Sequence, residues 1–219
     1  LATIILPLIH NKSPAQSPVE TLSKFYHIAT EAIHIEGFLL TSFLAFGIFM
    51  IVPFISPSMV KNVGLAESDL KYIYLFGGTA TVFSARWIGR LCDRLGSFRV
   101  MTWVAFLSFI PLILITHLGV TPLALTLVVT TTFMMTGSGR FIPAMTLLSL
   151  VVDPKKRGTF MGLENAFRQL SSGVASLVAG LIIYEGTNGT LERFNILGYV
   201  AVTVTFMAWL MARKISKRS

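Results

Sequence analysis

The residues with chemistry to offer are few, and they stand where charge is costly. Arg140 lies inside a long apolar run that ends at Val151. At a helical rise of ~1.5 Å per residue it is about 16 Å deep. Arg168 lies in the next apolar run, about 14 Å from Thr159 by the same rise. Glu164 is one turn shallower, at i,i+4 spacing to Arg168. Asn165 and Gln169 add hydrogen-bonding capacity beside them. Ionisable side chains at such depth mark solute or proton pathways. The guanidinium groups of Arg140 and Arg168 suit an anionic or polar group, and Glu164 is the one local carboxylate able to take a proton. The plainer alternative is that Glu164 pairs with Arg168 or Arg140 and only neutralises charge. Phe46 and Phe49 are expected either to line an aromatic pocket for an amphipathic compound or to pack against neighbours.

Other chemistries lack their residues. A single cysteine, Cys92, excludes an internal disulfide. His10, His27, His34 and His117 have no zinc-ligand spacing, so neither a metal nor a cofactor is expected. Thr136-Gly137-Ser138-Gly139 lacks the first glycine of a nucleophile elbow. There is no nucleotide-binding loop, and an enzyme is not expected. Asn188-Gly189-Thr190 fits a glycosylation acceptor, as a short pattern does by chance.

The elements that must position these groups are membrane helices. The chain is 53% hydrophobic and only 13% charged, about half the charge of a soluble domain. About 20 apolar residues cross a bilayer core, and six such segments are predicted: 37–60, 70–91, 98–117, 121–151, 159–184 and 194–212. Pro53 and Pro57 predict a bend in the first, and Pro143 a bend beside Arg140. Gly77, Thr81, Ala85 and Gly89, and likewise Ser172, Ser176 and Gly180, form stripes of small residues that predict close helix packing.

Residues 1–9 read as the tail of a preceding helix, 10–36 as a linker with a short surface helix near 25–35, 37–213 as the bundle and 214–219 as a basic tail. Arginine and lysine concentrate on one side, at Arg90, Arg94, Arg99, Lys155, Lys156, Arg157 and the C-terminus, against Lys61, Lys71 and Arg193 on the other. That asymmetry places the linker and C-terminus in the cytoplasm. The net charge of +8 is thus a topology signal with affinity for membrane lipid. It is not a nucleic-acid footprint, because no contiguous basic face forms.

One loop is more specific. Gly89-Arg90-Leu91-Cys92-Asp93-Arg94-Leu95-Gly96-Ser97-Phe98-Arg99 joins the second and third segments. It resembles the Gly-x-Leu-x-Asp-Arg/Lys-x-Gly-x-x-Arg/Lys signature of the major facilitator superfamily, with Gly89, Leu91, Asp93, Arg94, Gly96 and Arg99 matching. Residues 139–161 resemble the tenth helix, basic loop and eleventh helix of bacterial efflux-type members. The resemblance implies an all-α membrane protein, a six-helix bundle forming the C-terminal half of a twelve-helix fold, in a bacterial inner membrane. It implies a gating role for the loop, with Asp93 contacting the N-terminal six-helix half of the same protein. It also implies proton-coupled efflux of a drug-like or sugar-like small molecule by alternating access. A self-contained six-helix scaffold is the alternative.

Overall fold

The computed structural model describes Tyr26 and residues 28–218. The predicted helix tail at residues 1–9 and most of the linker lie outside the described residues. The fold is all-α. Helix α1 spans Ala32–Phe49, and after a 3-10 turn at Val52–Phe54 the chain continues as α2, Ile55–Lys61. Then come α3, Leu70–Leu95; α4, Ser97–His117; α5, Leu123–Gly139; and α6, Phe141–Val151. The last two helices are α7, Arg157–Ile182, and α8, Phe194–Ser216. Helix α1 packs between α7 and α8, α4 packs on α8 and α5, and α5 packs on α3.

Among the described residues, three stretches are long and apolar enough to cross a membrane on length and composition alone: Ala32–Lys61, Ser97–His117 and Phe194–Ser216. Helices α3 and α7 are equally long but carry charges such as Arg86, Arg90, Glu164 and Arg168. The fourth predicted segment is broken into α5 and α6 at Arg140.

Each break has a proline as its cause. Pro143 has no N–H for the Gly139 carbonyl, and the next rung, Ala144 N–H to the Arg140 carbonyl, is stretched to 3.4 Å. Arg140 itself keeps right-handed helical angles, so the chain bends without unwinding. Pro53 likewise has no N–H to give the Phe49 carbonyl. Ser176 of α7 comes up beside that oxygen instead: its single hydroxyl lies 3.2 Å from the Phe49 carbonyl and 3.0 Å from the Ser172 carbonyl of its own helix, and is shared between them. Ser171 donates to the Ser42 carbonyl at 2.7 Å, so two serines tie α7 to α1.

Several expected boundaries shift. Helix α1 begins at Ala32, five residues into what was expected to be linker, because the apolar run of residues 32–49 needs only one interrupting charge, Glu36, to be continuous. Glu36 is buried and satisfied by Lys214 at 2.8 Å and Arg218 at 3.1 Å. Those two pairs fasten the start of α1 to the end of α8, and the first half of the expected basic tail, residues 214–216, is the last turn of that helix. At the other end of the molecule Tyr184 leaves the expected fifth segment. It joins a two-stranded hairpin, Tyr184–Glu185 against Leu191–Glu192. Asn62, just past α2, holds this hairpin: its amide donates to the Leu191 carbonyl at 2.9 Å and accepts from the Leu191 N–H at 2.7 Å.

The small-residue stripes are only partly packing faces. A Cβ at Gly77 would strike Met134, but one at Gly89 would meet nothing within 4 Å. Outside the stripes a neighbouring backbone also comes close, at Gly198 against the Leu112 carbonyl and at Gly47 against the Ala201 carbonyl. The expectation of close packing at Gly89 is therefore corrected: its side of α3 has no partner among the described residues.

Candidate functional site

Arg140 is wholly buried where three helices converge. Gly137, one turn earlier on α5, faces Ile48 of α1. Thr205 of α8 stands beside Gly47 of α1 and accepts a hydrogen bond from Arg140 Nη1 at 2.5 Å. Thr205 Oγ1 also donates to the Ala201 carbonyl at 2.7 Å, which leaves its lone pairs for the guanidinium. Arg140 Nε and Nη2 have no partner among the described residues. An arginine so placed is bound from the inside of the bundle. Within the described residues Arg140 is enclosed, and its hydrogen-bond partner lies on α8.

Glu164 is buried too, 2% exposed. Arg168 Nε lies 3.4 Å from its Oε1, a charge contact without hydrogen-bond alignment, so that oxygen has no hydrogen-bond donor. Arg168 is half-buried. Its Nη2 donates to Asn165 Oδ1 at 2.7 Å, and its guanidinium lies 5.8 Å from the centre of the Phe141 ring, over which it stacks. Asn165 and Gln169 are exposed. The structure thus assembles Glu164, Asn165 and Arg168 into one polar strip on α7, with Gln169 a turn beyond. It separates them from Arg140, whose hydrogen-bond partner among the described residues is on α8. Phe46 and Phe49 are half-buried against the core that Ile48, Ile51, Phe133 and Leu197 form.

The loop between α3 and α4 is a single residue. Helix α3 ends at Leu95, α4 begins at Ser97, and Gly96 takes φ +86 and ψ 141, a backbone conformation that side chains disfavour. Its N–H bonds the Cys92 carbonyl at 3.0 Å and its carbonyl accepts from Val100 at 3.3 Å, so one residue closes both helix ends. Arg90, Asp93, Arg94 and Arg99 are all exposed. Asp93 makes no ion pair among the described residues.

A glycine-bounded turn between helices that carry charge mainly at their ends, and apolar helices interrupted by prolines and buried arginine, are the features of a carrier. The family model described as Major Facilitator Superfamily matches residues 37–219. The chain belongs to the Major Facilitator Superfamily. No curated protein matches it. Membership makes it an integral membrane protein and a membrane transporter, in a superfamily whose members are generally not enzymes. The matched region begins at Gly37, so it takes in the polar strip on α7, the buried arginine and the loop together.

Sequence reasoning found the charged residues of this facilitator chain but not Thr205, the partner of Arg140, nor Ser171, which ties α7 to the Ser42 carbonyl. Ser176 was legible only as part of a small-residue stripe. The one signal of Thr205 and Ser171 is a hydroxyl placed where the surrounding helix needs none.

Proposed function

We propose that the chain moves a small solute by alternating access, as proton-coupled efflux of a drug-like or sugar-like compound, with the polar strip of α7 on the solute path. The observation that carries this reading is Glu164. It is nearly inaccessible, keeps one oxygen without a hydrogen-bond donor, and sits next to exposed Asn165 and one turn from half-buried Arg168. Arg168 is the countercharge of that carboxylate, and a solute that draws its guanidinium away competes with Glu164 for it, which ties solute binding to the one carboxylate on the proton pathway. Asn165 and Gln169 offer the solute amide donors and acceptors.

The loop serves as a latch. Asp93 is exposed and unpaired among the described residues, at the end of a helix whose Gly89 side is open. It is placed to accept hydrogen bonds from a helix N-terminus of the other half. The linker and C-terminus lie on the cytoplasmic side, where the arginines gather.

Full-length protein in proteoliposomes with an interior pH dye tests the assignment. Sugars and amphipathic drug-like compounds are added one at a time under an imposed pH gradient. A transported compound is expected to drive proton movement, and Glu164→Gln to abolish it while solute exchange without a gradient persists. Proton movement unchanged in Glu164→Gln would overturn the role of Glu164. Asp93→Asn is expected to alter the transport rate with expression intact, and unaltered kinetics would remove the latch.

A further inference from the structure

A groove of about 290 Å³ runs between α3 and α4, floored by α5. Trp87 and Leu91 form one wall, Trp103 and Leu107 the other, and Met135 and Thr136 the floor. Its surface is entirely apolar: Thr136 turns its hydroxyl away, to the Thr132 carbonyl at 2.8 Å. Trp87 is 66% exposed and Trp103 53%, far more than large rings in a packed core.

Charge gathers at the end of this groove where Gly96 joins the two helices. Arg94 follows Leu91 by one turn and Arg99 precedes Trp103 by one turn, so each continues a wall of the groove. Both are exposed and neither has an acid partner among the described residues. Arg86 and Arg90 line a second hollow on the other flank of Trp87. Asp93 is the lone acid of the segment 84–99. Tryptophans at this level, with arginines just beyond, match the headgroup boundary of a bilayer.

We infer that the groove between α3 and α4 holds one acyl chain of an anionic phospholipid, with Arg94 and Arg99 gripping its phosphate. The walls take a methylene chain and offer nothing to a polar ligand. Two guanidinium groups without countercharge favour a phosphate, each through paired N–H donors. A lipid seated there straddles the single-residue turn and holds α3 and α4 at a fixed splay. At roughly fivefold per arginine for an anionic lipid near the surface, the pair predicts about a 25-fold preference for phosphatidylglycerol over phosphatidylcholine.

Tryptophan quenching by lipids brominated on the acyl chain tests this. Full-length protein is reconstituted in phosphatidylcholine vesicles with increasing fractions of brominated phosphatidylglycerol or brominated phosphatidylcholine. Emission is assigned to Trp87 and Trp103 by subtracting the Trp87→Phe/Trp103→Phe variant. Half-maximal quenching is expected at about 25-fold lower mole fraction for the glycerol lipid, and Arg94→Gln/Arg99→Gln should bring the two curves together. Leu107→Phe, which narrows the groove and leaves both arginines, should remove the preference as well, and it decides the matter if the arginine variant fails to fold. Equal curves in the native protein, a preference that survives Leu107→Phe, or no quenching by either lipid because protein covers the groove would each overturn the inference.

Discussion

Thr205→Val isolates the one hydrogen bond that holds Arg140. Valine keeps the branched shape of threonine and removes the acceptor oxygen, so the packing against Gly47 and Ala201 is preserved. What is lost is the 2.5 Å bond to Nη1, so that Nη1 joins Nε and Nη2, which already lack partners, and with it the donation of Oγ1 to the Ala201 carbonyl, an oxygen that the helix N–H of residue 205 can still satisfy. A hydrogen bond to a charged group contributes about 1.5–3 kcal/mol. For a chain of this size each kcal/mol moves the melting temperature by about 2–4 °C, which predicts a fall of roughly 3–12 °C. Cys92 is buried, 5% exposed, so thermal unfolding in detergent can be followed by its reaction with a fluorogenic thiol dye. The control is the double variant Arg140→Met/Thr205→Val. With the buried cation gone, the valine has nothing to leave unpaired, and the double variant should melt above Thr205→Val alone. Replacing buried charge by an apolar side chain of similar volume is neutral or stabilising by about 1–4 kcal/mol. A melting temperature for Thr205→Val within 1 °C of the native value would refute the argument, since Arg140 would then have other partners.

Three further outcomes follow from packing and from the hairpin. Gly198→Ala forces a Cβ against the Leu112 carbonyl and Thr116 and should destabilise by about 1–3 kcal/mol, while Gly89→Ala, with nothing within 4 Å, should melt with the native protein. Gly96→Ala places a side chain at φ +86 and should cost about 1–3 kcal/mol, read in the same thiol assay. The Tyr184 phenol is held above its ordinary range, first because its hydroxyl donates to Glu192 and then through partial desolvation. The contact therefore supports the hairpin below the unfolded phenol's pKa of about 10, and that support is lost as pH rises through the higher folded value. Ultraviolet titration of tyrosinate should show one phenol shifting down in Glu192→Gln.

How far the sequence carried depends on what each helix had to reveal. Prolines are local, and Pro53 and Pro143 marked the bends to within a residue or two. The i,i+4 pair of Glu164 and Arg168 was legible because spacing alone brings them together on one helix. The direction of Arg140 was not legible. Helices α5 and α6 are apolar all round, so no periodicity names an inward face, and an arginine there is equally consistent with a cavity and with a core. Thr205, the residue that settles it, is 65 positions away. The hairpin was hidden for a related reason: its strands are two residues each, and its anchor Asn62 is 129 positions from Leu191.

The bend at Pro53 has a mechanical consequence. In an uninterrupted helix each carbonyl is satisfied from within, and the rod can tilt as a unit without reference to its surroundings. The Phe49 oxygen is instead met from a neighbouring rod, by the Ser176 hydroxyl that it shares with the Ser172 carbonyl. The angle of α1 and the axial position of α7 are therefore not independent coordinates. If α7 slides by a fraction of a turn, the oxygen loses its donor and the bend must open or tighten to recover one. A displacement that starts at the polar strip on α7 is converted at this joint into a change of tilt in α1, as a connecting rod turns sliding into rotation.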